Sequence, residues 1–393
     1  MPTAEATVAG PNHDERCRLD LAEGVRSFNY RRIVRSLVAD YPARVAASRA
    51  AGVNDPMTKE EAGRLYRDDP AYLLACGLQR SMQQLAWSTA VDSVNRRTSL
   101  QVGSEGGSPV WPDEAVGPSG PRLELDPDLP LPGWYTAAAS TGGDDIHLVP
   151  GGYWGHDRVG EVYDLGGAAY RLAGRKGYDA RPGALDAFVA SVAEPGCASA
   201  VDLGCSFGAL TRALRRRLPG ATVTGLDLSA PALRHAYRMA RAQDEEIIYA
   251  QRDVTATGMA DDSVDLIVAF LLMHEVPDDV RPAIVAESLR ILRPGGRLAV
   301  LDIPPYAVLE PVQAFFESFD GRGNGEHHWE AFLSSDFTGL LTDTGFIDVV
   351  DGPLDFDEPD YWGSSALWRT GGFDPVHRWV TVATKPTALG VGQ

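Results

Sequence analysis

Lysine is almost missing from this chain. Only Lys59, Lys176 and Lys385 occur among 36 basic residues; the rest are arginine. Acidic residues number 54, so the formal net charge is −18. A surface that negative excludes a general binder of phosphate backbones, and no nucleic-acid partner is expected. Cysteine is scarce as well: Cys17, Cys76, Cys197 and Cys205. No two of them have metal-ligand or redox spacing, so reduced thiols and a cytoplasmic location are expected. The longest apolar run, Leu266 to Met273, is too short to span a bilayer, and no membrane partner is expected. Met1 to Pro11 lacks a basic segment followed by an apolar core, so no signal peptide is expected.

What remains is ordinary for a folded protein, with 44% hydrophobic and 23% charged residues. The 393 residues leave room for two domains or one elaborated domain. Residues 1–13 read as a disordered tail, and 14–100 as a helical N-terminal domain. There Phe28, Ile33, Leu37 and Val38 fall at helical spacing, and Thr58 with Glu61 forms a capping box. Asp69-Pro70 opens a helix from Ala71 to about Ala90. This module is expected to be a lid, or the surface of a homodimer. Residues 101–150 form a linker or loop, because Gly and Pro crowd Gly103 to Gly133 and exclude a helix. Within it, Ile146 to Val149 reads as a short strand. Residues 151–386 form the main domain and 387–393 a tail.

The main domain is organised around Ala198 to Leu210. A short apolar strand ends at Asp202-Leu203, Gly204-Cys205-Ser206-Phe207-Gly208 makes a tight turn, and a helix follows. Such a turn lets a ligand approach the backbone, at the positive end of the helix dipole. Downstream, strands and helices alternate. Strands are predicted at Ala200–Leu203, Thr222–Leu226, Ile247–Ala250, Leu266–Phe270 and Leu298–Leu301, with helices Leu210–Leu218, Ala230–Arg241 and Val280–Leu292 between them. The last strands, near 345–350 and 378–384, are expected to close the sheet as an antiparallel pair. The fold class is α/β: a Rossmann-like doubly wound sheet, mostly parallel, plus the N-terminal helical domain.

Asp227 ends the second of these strands, where a carboxylate can accept both hydroxyls of a ribose. Arg252-Asp253-Val254 ends the third, where a carboxylate suits an adenine amino group. Leu271-Leu-Met273-His274-Glu275 follows the fourth, and Arg293-Pro-Gly295-Gly296 precedes the fifth. Together these motifs resemble the class I S-adenosylmethionine-dependent methyltransferases, most closely the ubiquinone/menaquinone type. The resemblance spans about residues 160–350. It implies S-adenosyl-L-methionine as cofactor and S-adenosyl-L-homocysteine as product. It implies cofactor contacts at Tyr163, Asp202, Gly204, Cys205, Ser206, Gly208, Asp227, Leu228, Asp253, Val254 and Phe270. Phe270 to His274 would line the junction of cofactor and acceptor. Ser206 stands where the family usually has a glycine.

The expected reaction is direct displacement at the sulfonium methyl, with a small-molecule acceptor, a natural product or secondary metabolite, methylated at O, N or C. His274 is the candidate general base, or else orients the acceptor. Tyr153, His156, Met273, His327 and His328 are candidate substrate contacts. No metal is expected at Glu326-His327-His328, since adjacent histidines on a helix diverge. Gly204-x-Ser206-x-Gly208 also fits a nucleophile elbow, with Asp302 and His377 completing a triad. That hydrolase leaves Asp202, Asp227 and Asp253 without a role and has no preceding oxyanion motif. A nicotinamide enzyme is disfavoured because Gly-x-Gly-x-x-Gly is not matched. A protein that binds the cofactor without methyl transfer, in regulation or cyclisation, is the third class.

Overall fold

Residues on the central strands alternate between two apolar layers, as a strand buried on both faces must. Val201, Leu203, Ile267, Ala269, Leu298 and Val300 face one core. Ala200, Leu266, Val268, Ala299 and Leu301 face the other. The computed structural model describes residues 10–105, 120–136, 145–170, 184–354 and 379–387. Its strands are β1 (Arg122–Glu124), β2 (Ser199–Leu203), β3 (Thr222–Asp227), β4 (Ile248–Gln251), β5 (Val264–Phe270), β6 (Leu292–Asp302), β7 (Ile347–Pro353) and β8 (Trp379–Thr384). They form one sheet in the order β1-β4-β3-β2-β5-β6-β8-β7. Pairing is parallel from β1 to β6, and antiparallel for β6 with β8 and β8 with β7. Helices Arg281–Ile291 and Phe337–Thr344 supply Ile284, Val285 and Leu341 to the first core. Helices Ala184–Val192 and Ala209–Arg217 supply Phe188, Val189, Leu210 and Leu214 to the second.

Three expectations change. The Gly/Pro-rich stretch contributes β1, which adds a parallel strand beyond β4: Arg122 N–H donates to the Ile247 carbonyl at 2.8 Å. The helix expected to stop near Ala90 runs from Pro70 to Glu105. Ile146 to Leu148 is a 3-10 turn rather than a strand, with His147 at φ +54° and Leu148 at φ +59°.

The N-terminal helices pack against the main domain. Tyr30, Val34, Leu37, Tyr66 and Ala75 share a cluster with Val312, Phe315, Phe316 and Phe319 of helix Pro311–Asn324. Tyr66 stacks on Phe315 at 5.5 Å. Further along helix Pro70–Glu105, Gln79 Nε2 donates to Asn324 Oδ1 at 2.8 Å and Gln83 Nε2 to the His147 carbonyl at 3.1 Å. Trp87 packs on Tyr163 at 4.9 Å. This long helix therefore lies over the carboxyl edge of the sheet. Among the described residues, no helix is long and apolar enough to cross a membrane.

Candidate active site

The carboxyl ends of β2, β3, β5 and β6 meet at one edge, as parallel pairing requires. Between β2 and helix Ala209–Arg217 the turn passes through positive φ at Gly204 (+65°), Ser206 (+49°) and Gly208 (+82°). A side chain at Gly204 would place its Cβ 2.7 Å from Leu272 Cδ1, and one at Gly208 would meet the Tyr249 ring at 3.0 Å. Gly208 is favoured both by its angle and by the Tyr249 ring, whereas at Gly204 the angle favours glycine and the neighbour is the movable end of Leu272.

Asp227 sits across from this turn. Ser206 N–H donates to its Oδ2 at 2.8 Å and Ser229 N–H to its Oδ1 at 2.7 Å. Burial pushes its carboxyl pKa up, and these two N–H groups oppose the shift. Leu228 follows it, half-buried, its carbonyl accepting from Gln251 Nε2 at 3.0 Å. Asp202 lies beneath the turn, 1% exposed, where Thr211 Oγ1 donates to it at 2.6 Å. Burial lifts Asp202 to about 7, against the Thr211 bond, with Asp227 adding to the rise. Asp202 thus ties the helix to the strand. Cys205 turns its side chain into the core beside Leu233, Tyr237 and Tyr249, so its backbone alone is left for a ligand. Asp253 Oδ1 accepts from Thr255 N–H at 2.8 Å and Thr255 Oγ1 at 2.7 Å. Val254 joins the first core, and Phe270 packs half-buried on the second.

Beyond β5 the chain turns through Leu271 at φ +53° into Met273–Glu275. This places His274 next to Asp302 at the end of β6, Nδ1 to Oδ1 2.6 Å. The Met273 N–H donates to the other Asp302 oxygen at 3.0 Å. His274 is buried, with Trp329 edge-on at 5.1 Å. Burial opposes its charged form, but Asp302, followed by Glu275, raises the imidazole to about 10. Met273 itself is fully buried in the first core and forms no wall of a pocket.

Three residues complete this end of the site: His147 and Glu275, which carry no role in the sequence reading, and Glu326, weighed there as a metal ligand with His327 and His328 and set aside. His147 Nε2 lies 2.9 Å from Glu275 Oε1, and His147 Nδ1 lies 2.9 Å from Glu326 Oε1. Burial acts against a charged His147, yet the two carboxylates hold its pKa well above the ordinary value. Burial raises Glu275, but His147 and His274 together bring it well below the carboxylate range. Glu326 goes the other way: burial raises it, and His147 only partly offsets that.

Tyr153 spans the two ends. Its carbonyl accepts from Ser229 Oγ at 3.0 Å, beside Asp227, while its hydroxyl meets His147 Nε2 at 2.6 Å. Its ring stacks on Tyr163 at 5.0 Å and on Tyr135 at 6.4 Å. Trp87, Tyr163, Tyr153 and Tyr135 thus make an aromatic roof over this edge. His156 is elsewhere: it accepts the Arg158 N–H at 3.0 Å and meets Asn95 at 2.8 Å, fastening the loop before helix Val159–Tyr170. His327 is exposed, and His328 is half-buried with its carbonyl 3.4 Å from Arg281 Nη2. Of the acidic and histidine run at 326–328, only Glu326 enters the site. His377, invoked for a hydrolase triad, lies outside the described residues, and Asp302 is engaged by His274.

Residues 200–296 match a protein family described as "Methyltransferase domain". A demethylmenaquinone methyltransferase of Thermus thermophilus is 34% identical over 105 residues, 27% of this chain and 47% of that protein. A malonyl-[acyl-carrier protein] O-methyltransferase of Hahella chejuensis is 30% identical over 171 residues, 42% of this chain and 60% of that protein. A trans-aconitate 2-methyltransferase of Azoarcus sp. is 42% identical over 122 residues, 31% of this chain and 46% of that protein. The chain spans about half the length of the curated relatives it matches.

Proposed function

We propose that residues 200–296, which match the methyltransferase family, are the centre of a class I S-adenosylmethionine-dependent methyltransferase, and that the whole chain moves a methyl group from this cofactor to an O, N or C atom of a small natural-product acceptor. The residues present fit the cofactor. Gly204 and Gly208 keep the turn clear of side chains, and Asp227 offers a carboxylate to ribose hydroxyls. Asp253, at the end of β4, is the matching acidic group for adenine. When bound, the cofactor supplies a methyl already activated on a sulfonium, so no protein nucleophile is needed. The chain aligns the acceptor and excludes water, which is the part of Tyr135, Tyr153, Tyr163 and Trp87.

The observation that carries this reading is the His274–Asp302 pair at the ends of β5 and β6. Nδ1 is committed to Asp302, and Nε2, which lies 3.4 Å from Glu275 Oε1, is the ring nitrogen that would exchange a proton with the acceptor. We assign His274 the acceptor's proton and Asp302 a positioning role; because, against burial, Asp302 and Glu275 raise the imidazole to about 10, the ring must first release its own proton, and kcat should rise as pH climbs towards that value. The acceptor is found by screening hydroxylated and amine-bearing small molecules for transfer of a labelled methyl. With that acceptor, His274→Gln is expected to lower kcat by roughly 10²–10⁴-fold while KM stays within a few-fold. An unchanged kcat overturns the assignment. The N-terminal helices serve as a lid. Leu21, Phe28, Leu73 and Leu74 are each more than half exposed on them and support a homodimer, which the mass in solution decides. A reducing, cytoplasmic setting is inferred from the spacing of Cys17, Cys76, Cys197 and Cys205, no two of which suit a metal or redox pair.

A further inference from the structure

The cluster at the acceptor end has a composition that methyl transfer from a sulfonium does not itself demand. His147, Glu275 and Glu326 bring ligand atoms within 4.8 Å of one another. They come from three separate segments: the turn Ile146–Leu148, the turn after β5, and the residue two past helix Pro311–Asn324. Their side chains are 15%, 12% and 6% exposed. Glu275 Oε2 and Glu326 Oε2 are buried, with no hydrogen-bond partner among the described residues. A buried carboxylate oxygen without a donor is costly, and two of them around one imidazole mark a place for positive charge.

The framework holds the cluster in place. His147 and Leu148 are consecutive non-glycine residues at positive φ, a conformation that persists only where the surroundings enforce it. The His147 N–H donates to the Gly325 carbonyl at 3.1 Å, and the His147 carbonyl accepts from Gln83. Gly325, at φ +75°, lets the two segments touch, since a Cβ there would lie 2.9 Å from the Leu148 side chain. The segments carrying His147 and Glu326 are thereby locked together. His274 stands alongside, Nε2 3.4 Å from Glu275 Oε1 and 4.0 Å from Glu326 Oε2.

We propose that His147, Glu275 and Glu326 bind a divalent first-row transition cation of the Mn²⁺ or Zn²⁺ kind. One imidazole and two carboxylates suit these ions, whereas Ca²⁺ calls for an all-oxygen shell. The Tyr153 hydroxyl, 2.6 Å from His147 Nε2, is placed to orient the ligating ring. Binding displaces the proton from the ligating nitrogen and gives both orphaned oxygens a partner. Resting on the methyltransferase reading, the cation would take an acceptor oxygen as a further ligand and ease loss of its proton.

The test is calorimetric titration of the full, metal-stripped chain with MnCl₂ and with ZnCl₂, and separately with S-adenosylhomocysteine. One site of micromolar Kd is expected for Mn²⁺ or Zn²⁺. Glu326→Gln and Glu275→Gln should each weaken it at least tenfold, with thermal melts showing both variants folded. Asp227→Asn should leave metal binding unchanged. No saturable binding of either ion, or binding that both glutamine variants leave intact, overturns the proposal. Binding of S-adenosylhomocysteine without metal binding defeats this inference alone. Metal binding without product binding upholds it and defeats the methyltransferase reading.

Discussion

Replacing Asp227 by Asn tests the cofactor turn at its most demanding atom. Both oxygens of Asp227 are already acceptors, from Ser206 N–H at 2.8 Å and Ser229 N–H at 2.7 Å. Asparagine offers one oxygen and one NH₂, so one of these N–H groups must face another donor. The ribose hydroxyls also lose a charged acceptor. A hydrogen bond to a charged group contributes about 1.5–3 kcal/mol, and about 1.4 kcal/mol is tenfold in affinity. The variant should therefore bind S-adenosylhomocysteine roughly 10- to 100-fold more weakly. Its thermal midpoint should also fall, because Ser206 is held at φ +49° partly by the bond that is lost. Titration calorimetry at constant salt reads the first effect and scanning calorimetry the second. A Kd within about threefold of the parent would refute the placement of the ribose at Asp227.

Two further expectations concern the N-terminal helices. Phe316 is 1% exposed and sits edge-on to Tyr66 at 5.4 Å. Phe316→Ala should cost about 3–5 kcal/mol in denaturant unfolding, and a loss under about 1 kcal/mol would mean that the helices are not docked as one cooperative unit. Glu15 accepts two bonds from Arg96, at 2.7 and 2.8 Å. The Arg96 hydrogen bond, partly opposed by burial, lowers its pKa from 4.5 to about 2. A depressed carboxylate contributes stability above the unfolded value and loses it as pH falls towards the folded one. The midpoint gap between the parent and Arg96→Gln should therefore be constant above pH ~4.5 and narrow below it; a gap that stays the same down to pH ~3 sinks this account.

The parallel core was legible because its signals are local. Short apolar strands, the Gly204–Gly208 turn, and Asp227 and Asp253 at strand ends all lie where periodicity and turn chemistry put them. What escaped reading depends on distant partners. β1 is three residues among prolines, and only β4, more than a hundred residues later, makes it a strand. Ile146-His147-Leu148-Val149 has a strand's composition, but packing against Gly325 and Gln83 bends it into a turn. Glu326 was visible only as a neighbour of two histidines. The helix before it, docked on Tyr66 and Gln79, turns the carboxylate inward and leaves His327 outside. The one local hint at the cluster was Glu275 beside His274.

β1 has a consequence for where this protein can be cut. The family match ends at Gly296, in the middle of β6, and excludes β1, β7 and β8 altogether. An excised segment 200–296 would carry bare strand borders at β4 on one side and a half-strand on the other. Open borders of that kind recruit other chains into intermolecular sheets. The stretch before the main domain therefore also acts as a hem: three residues, Arg122 to Glu124, finish the rim of the sheet. A shortened version that begins after them would bare the β4 border together with the Phe315, Phe316 and Phe319 face that the N-terminal helices cover.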